Sequence, residues 1–180
     1  MDRTVWTRAR AWPKSAAMAH RPFLFWPDPR LTRPSEPVDA VTDETRAIWA
    51  EMVDAMRAMP GVGLAAPQLG IPLRLAIVDD GTGVTYLANP RILHASTILR
   101  EHEEASPNLP GVSAKLKRPR AVTVAYLDET GAAREEEFVL LRATSVQHQI
   151  DHLDGKLYIH RLSKTRRDMI LKKYEKLRRT

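Results

Sequence analysis

The strongest constraint on this chain is the run His148-Gln149-Ile150-Asp151-His152. Two histidines four positions apart project from one face of a helix, so their imidazoles can bind one metal ion, although the spacing also occurs by chance. Zinc hydrolases use it in the pattern H-E-x-x-H, in which the glutamate transfers protons. The position of that glutamate holds Gln149, and an amide cannot take up a proton at neutral pH. The run therefore predicts a metal-site helix whose proton carrier is replaced.

Composition narrows the possible chemistry further. The 180 residues include no cysteine, which excludes disulfides, thiolate metal ligands and thiol nucleophiles. Net charge is +6, and residues 164–179 carry eight Lys and Arg against two acidic residues. This basic end suggests attraction to nucleic acid, the ribosome or an acidic partner, and a solvated helix face gives the same pattern. Because no apolar run approaches the roughly 20 residues that span a bilayer, we expect a soluble, cytoplasmic protein with no membrane partner.

Apolar periodicity predicts three helices. The first begins at a Thr42 or Asp43 cap, and its buried stripe consists of Ile48, Met52, Ala55, Met56 and Met59. The second covers 143–153. The third begins at a Ser163 cap and runs to the C-terminus, with an apolar stripe of Met169, Ile170, Tyr174 and Leu177.

Strand signals are shorter and lie between the first two helices. Strands are predicted at 73–78 and 84–88, and a hairpin is predicted from 121–128 and 135–140. The stretch 101–119 has the composition of loops. Helices and short antiparallel strands together indicate the α+β class.

The chain is expected to contain one domain, at 18–180, that ends in the basic helix. Residues 1–17 show no periodicity and precede a second methionine. We interpret them as a disordered extension or an over-extended start. An arginine-rich leader with a single acidic residue also fits an organelle-targeting peptide.

Three segments together resemble one family. GVGLAAPQ at 61–68, EASPNLPG at 104–111 and HQIDHLDG at 148–155 stand in the order of the peptide deformylase motifs, usually GxGLAAxQ, EGCLSxPG and HExDHLxG. The resemblance covers about 23–177. It implies the peptide deformylase-like fold, with short antiparallel sheets around a central metal-site helix, and a C-terminal helix. Deformylases remove the formyl group from formyl-methionine at new protein N-termini, using iron or zinc held by two histidines and a cysteine.

The resemblance assigns roles to several retained residues. Gln68 takes the place of the side-chain oxyanion donor, and His148 and His152 take the places of the metal-binding histidines. Glu104 and Arg118 fall where the family has a salt bridge.

Other residues depart from the family at reacting positions. Ser106 replaces the cysteine ligand, and a neutral hydroxyl is a much weaker metal ligand than a thiolate. Pro107 stands where a backbone N–H helps to hold the oxyanion, and proline has no N–H. Gln149 replaces the acid/base, and Ser113 stands where many bacterial members have a substrate-binding arginine. We therefore expect no cofactor, or a weakly bound iron or zinc ion.

The scaffold positions of the substrate groove are retained, so the resemblance implies that this groove survives. Its candidate wall residues are Val62, Gly63, Leu64, Leu109, Val146 and Gln147. Gly63 would allow a ligand to approach the backbone closely.

Three functions remain open at this point. The first is a deformylase-like protein, impaired or inactive toward formyl-methionyl peptides, that binds peptide N-termini and contacts the ribosome through its basic helix. The second is an active metal-dependent deformylase in which Ser106, His102 or Glu103 completes the metal site. The third is an RNA-binding or assembly factor that uses only the charged ends, with strongly salt-dependent binding.

Overall fold

The computed structural model describes residues 21–179. The extension predicted at 1–17 lies outside this range, so that prediction and the 18–180 domain boundary stay predictions. The helices are α1 (Asp43–Arg57), α2 (Leu140–Leu153) and α3 (Lys164–Arg179). The strands are β1 (Gly63–Ala65), β2 (Leu75–Val78), β3 (Thr85–Ala95), β4 (Leu99–Ala105), β5 (Ser113–Pro119), β6 (Ala121–Leu127) and β7 (Ala133–Val139). The α+β class is confirmed.

Helix α1 begins where its capping residues predict. The hydroxyl of Thr42 accepts a hydrogen bond from the backbone N–H of Thr45, and the hydroxyl of Thr45 accepts one from the backbone N–H of Thr42. This reciprocal pair satisfies two donors that a helix start leaves free. The predicted methionine stripe is confirmed as core, because Met52, Met56 and Met59 are all buried.

The main sheet separates α1 from α2. Its strands are all antiparallel to their neighbours and lie in the order β1-β2-β3-β6-β7. Side chains alternate between the faces of a strand, so Leu75 and Ile77 of β2 pack in the cluster that contains α1. Ala76 and Val78 pack on the opposite face, in the cluster that contains α2. Helix α2 therefore occupies the centre of the molecule.

The stretch predicted as loops at 101–119 is mostly a second hairpin. Strands β4 and β5 pair antiparallel from Leu99 with Pro119 to Ala105 with Ser113. The loop prediction was wrong because half of the residues in these two strands are charged, and β4 lacks the apolar alternation of a half-buried strand. Glu101 and Glu103 instead face lysines across the pair, which favours pairing by charge. Only 106–112 remains a loop.

Helix α3 is anchored by one aromatic residue. Tyr174 is buried, and its hydroxyl donates to the carbonyl of Trp26 at 3.2 Å. The predicted apolar stripe was wrong at Met169, 68% exposed, and at Leu177, 47% exposed. Helix α2 begins three residues earlier than predicted, at Leu140. Within residues 21–179, no helix combines the length and the apolar character needed to cross a membrane.

Candidate functional site

The three motif segments meet beside α2. Gln68 comes from the short 3-10 helix after β1, and Ser106 and Asn108 come from the loop between β4 and β5. His148 and His152 come from α2. All five side chains are buried, with at most 6% of any of them exposed. Residues far apart in the sequence are therefore brought together in a nearly closed site.

His148 is held in one orientation by a carboxylate. Its Nδ1 lies 2.8 Å from Oε2 of Glu104. Burial alone would raise the pKa of Glu104, but hydrogen bonds from Arg118 and His148 outweigh it and lower that pKa to about 2. An ionised carboxylate can only accept, so Nδ1 of His148 carries the proton and Nε2 is free to bind a metal.

His152 is a buried imidazole without a hydrogen bond. Neither ring nitrogen has a partner within residues 21–179. Burial first, and then the charge of His148, lower the pKa of His152 well below its ordinary value, so the ring is neutral at pH 7. The two imidazole rings lie 4.9 Å apart between centroids. A buried imidazole without a partner, beside a second imidazole that a carboxylate orients, fits a pair of metal ligands.

Arg118 connects the β4–β5 hairpin to α2. Its guanidinium donates to Glu104 through Nε and Nη2, and to Asp151 through Nη1 at 2.8 Å. Arg161 donates to the same Asp151 carboxylate. Burial alone would raise the pKa of Asp151, but the two arginines lower it. The predicted Glu104–Arg118 pair is confirmed. No sequence signal pointed to Arg161, and Asp151 stood out only as the aspartate of the third motif.

The third metal position of the family is poorly filled. The hydroxyl of Ser106 donates to Oδ1 of Asn108 at 3.0 Å and accepts from the backbone N–H of Asn108 at 3.3 Å. Pro107 is buried beside it and offers no backbone donor. Two imidazoles and an engaged hydroxyl therefore do not fit the thiolate-containing site that the resemblance implies.

The alternative ligands do not join the histidines. Across residues 21–179, no group of three or more His, Cys, Asp or Glu side chains is placed to hold a metal ion. Glu103 instead accepts a hydrogen bond from Ser113 at 2.7 Å, and Nδ1 of His102 lies 3.1 Å from the carbonyl of Glu103. The expectation that His102 or Glu103 completes the site is therefore wrong in this structure, because both face partners on the hairpin.

Gln149 packs against the backbone of β1. A Cβ built on Gly63 would lie 2.8 Å from Nε2 of Gln149 and 2.6 Å from Oγ of Ser145. Oε1 of Gln149 is buried and has no partner in the described part of the chain. The Gln149 amide thus fills the position of the family's acid/base glutamate, but it has no group that can accept a proton.

Replacing Gly63 by alanine should destabilise the protein by about 1–3 kcal/mol, the usual cost of overpacking. The new Cβ would also lie 2.9 Å from the backbone carbonyl of Ile77, which cannot move aside cheaply. Urea unfolding measures the loss. Gly61→Ala is the matched control, because its Cβ would meet only the flexible end of Met59 at that distance. Equal losses in both variants would contradict the close approach.

Most of the candidate wall residues are buried in the protein core. Leu64, Leu109 and Val146 are 0% exposed and belong to three different core clusters. Gln147 is also buried, and its amide donates to the carbonyls of Pro119 and Ala143. These side chains therefore offer no surface to a ligand in this conformation.

Val62 and Gly63 are the two remaining candidates for the predicted wall. Val62 is 9% exposed and borders a cleft lined also by Met59, Gly61 and Asp80. Gly63 lies against Gln149, as described above. The groove predicted from the resemblance stays a prediction.

Asn108 is the site residue that sequence reasoning missed. Its Oδ1 accepts from Nε2 of Gln68 at 2.8 Å, while Oε1 of Gln68 accepts from the backbone N–H of Ala65 at 2.8 Å. The only signal was a motif position that usually holds serine. Within the described residues the site therefore contains two imidazoles, a hydroxyl that is already hydrogen-bonded and three side-chain amides, and its Glu104 carboxylate is held by Arg118 and His148.

Comparisons with known proteins place this geometry in context. The family model described as polypeptide deformylase matches residues 20–168. A protein named "Peptide deformylase-like" from Bradyrhizobium diazoefficiens is 41% identical, covering 91% of this chain and 98% of its own. A "Peptide deformylase" from Rhizorhabdus wittichii is 40% identical, covering 90% and 97%. The solved structure of a peptide deformylase from Legionella pneumophila superposes with a TM-score of 0.83 at 36% identity, covering 89% and 96%.

Proposed function

This chain belongs to the polypeptide deformylase family, and from that membership we propose that it binds the N-terminal end of peptides while hydrolysing formyl-methionyl peptides slowly or not at all. The single observation that carries the proposal is the state of the reacting positions. Ser106, Pro107 and Gln149 replace the metal ligand, the oxyanion donor and the acid/base of the resembling motifs, and all three are buried.

Each substitution affects a different part of the hydrolytic transition state. Losing an oxyanion donor typically costs about 10²–10³ in rate. Losing a general acid/base costs about 10²–10⁴. In deformylases the metal supplies an activated water. Among the described residues, His148 and His152 would hold such a metal, with no thiolate to complete the site. What this chain's own residues retain is the Gln68 amide and an oriented His148.

Peptide binding is supported by what relatives bind. Peptide deformylases from Ehrlichia chaffeensis and Synechococcus elongatus have been solved in complex with actinonin. Binding of a formyl-methionyl tripeptide, measured by calorimetry beside the unformylated peptide, tests this part.

A ribosome contact is proposed for helix α3. Its basic side chains are mostly exposed, while Tyr174 fastens the helix to the segment at Trp26. Arg178 also contacts the Trp26 carbonyl and lies over the Tyr174 ring. An exposed basic face on a fixed helix favours an anionic surface, and such contacts weaken as salt rises.

An active metal-dependent deformylase is the second candidate. The names of the relatives favour it, since proteins 36–41% identical to this chain are called peptide deformylase. The structure offers one specific observation in its favour. Within the described residues His152 is buried without a hydrogen bond, and a metal ion would satisfy it.

The two candidates differ in metal retention. We expect the purified natural chain, after dialysis against a chelator and then against buffer, to keep far less than one iron or zinc ion per chain. Two imidazoles and a hydroxyl lack the charge and the third strong ligand of a resident site. Elemental analysis measures the content. A tightly held stoichiometric metal would favour the active deformylase instead.

A further inference from the structure

Both polar atoms of the Asn108 side-chain amide have hydrogen-bond partners. It is 0% exposed. Its Nδ2 donates to the carbonyl of Leu24 at 2.6 Å and to that of Gln68 at 3.3 Å. Carbonyls can only accept, so these partners determine which end of the amide is nitrogen. Oδ1 therefore points away from them, toward Gln68 Nε2 and the Ser106 hydroxyl.

The Gln68 amide is fixed in the same way. The backbone N–H of Ala65 donates to Oε1, which leaves Nε2 to face the loop at 106–112. Nε2 lies 2.8 Å from Oδ1 of Asn108 and 3.5 Å from Oγ of Ser106. The hydrogen bond to Asn108 thus uses one N–H group of this amide, and the contact with Ser106 is long.

We propose that Asn108 is an internal occupant of the carbonyl-binding position. Its Oδ1 belongs to an amide, the chemical group that a formyl-methionyl peptide presents for hydrolysis. It therefore takes from Gln68 the hydrogen bond that a substrate carbonyl would receive. This inference rests on the proposed function, because it assumes that Gln68 is the carbonyl donor.

The occupant acts on a different group from the three substitutions described above, although its Oδ1 also accepts a hydrogen bond from Ser106. Ser106, Pro107 and Gln149 remove a ligand, a donor and a proton carrier, whereas Asn108 blocks a donor that is still present. The resembling motif usually has serine at this position, and a serine side chain is shorter and has no amide. Asn108 is thus a positioning residue that holds Gln68 away from a ligand.

The first test uses the natural chain alone. A scalar coupling across the hydrogen bond from the Gln68 side-chain N–H to Oδ1 of Asn108 should be detectable by NMR in the isotope-labelled protein. Adding a formyl-methionyl tripeptide should leave the Gln68 side-chain signals unmoved. Signals typical of a solvent-exposed Gln68 amide would overturn the inference.

The second test replaces Asn108 by serine. In Asn108→Ser the Gln68 signals should shift, and the tripeptide should then move them further and bind about threefold to tenfold more tightly, the change that one net hydrogen bond supplies. Asn89→Ser is the matched control, since the Asn89 amide bonds only to the Val38 backbone in the described structure. It should leave the Gln68 signals in place.

A kinetic readout separates this role from a structural one. Adding Asn108→Ser to a variant that carries Ser106→Cys, Pro107→Leu and Gln149→Glu should raise kcat by about 10²-fold, because an oxyanion donor acts in the transition state, whereas KM should fall by no more than about tenfold. An unchanged kcat would overturn the inference. Rapid hydrolysis by the natural chain would instead contradict the proposed function, so the two failures are distinguishable.

Discussion

The triple variant Ser106→Cys, Pro107→Leu, Gln149→Glu is expected to hold a metal ion stoichiometrically and to hydrolyse formyl-methionyl peptides about 10²–10⁴-fold faster than the natural chain. Cysteine supplies the missing thiolate, leucine restores a backbone donor, and glutamate restores the proton carrier. His148 is already oriented by Glu104 to receive the metal. Elemental analysis and a peptide hydrolysis assay measure the two gains.

The single variants are the controls for this prediction. Gln149→Glu alone restores a base without a well-held metal to activate its water, and Ser106→Cys alone restores a ligand without a proton carrier. Groups that act as a unit recover little when restored one at a time. A folded triple variant that stays free of metal would mean that the site has changed beyond these three positions.

Replacing Arg118 by methionine is expected to lower the free energy of unfolding by about 3–5 kcal/mol, the usual cost of removing one partner from a buried ion pair. Arg118 is 1% exposed and bridges Glu104 and Asp151, which would lose their shared guanidinium. Urea unfolding at pH 7 measures the loss. Lys164→Met, which breaks an exposed pair with Asp168, should cost about 1 kcal/mol or less.

The pH dependence of the Arg118 effect follows from Glu104. The pKa of Glu104 is lowered from 4.5 to about 2, so its ionised form stabilises the fold above pH 4.5. That contribution is lost as the pH falls toward 2. The difference between the natural chain and Arg118→Met should therefore shrink over this window. A difference that stays constant with pH would contradict the role of the Glu104 charge.

The sequence predicted those elements whose formation depends mainly on residues that are close together along the chain. Helix α1 starts at its Thr42 cap and buries its methionines, and the hairpin of β6 and β7 follows its alternating pattern. The β4–β5 hairpin escaped prediction because half of its residues are charged, and the glutamates and lysines that oppose each other become visible only once the strands are paired. Met169 and Leu177 failed for the same reason, since what covers a helix face is decided by the rest of the fold.

The site was predictable only where a motif fixed it. His148, His152, Gln68 and Ser106 converge as the motif order implied. The candidate wall residues Leu64, Leu109 and Val146 are fully buried, and their place in the groove stays a prediction, because a motif gives the position of a residue but not the direction of its side chain. Asn108 has no periodic or spacing signal. The role that we propose for it rests on the four hydrogen bonds that its side chain makes.

Hydrolysis by the natural chain tests the central claim most directly. The protein, incubated with iron(II) or zinc, is assayed on a formyl-methionyl tripeptide beside an ordinary peptide deformylase at the same concentration. We predict no detectable product, or a kcat/KM several orders of magnitude below that of the reference enzyme, because the metal ligand, oxyanion donor and proton carrier are replaced together. A kcat/KM within about tenfold of the reference, a barrier difference of only about 1.4 kcal/mol, would contradict the account.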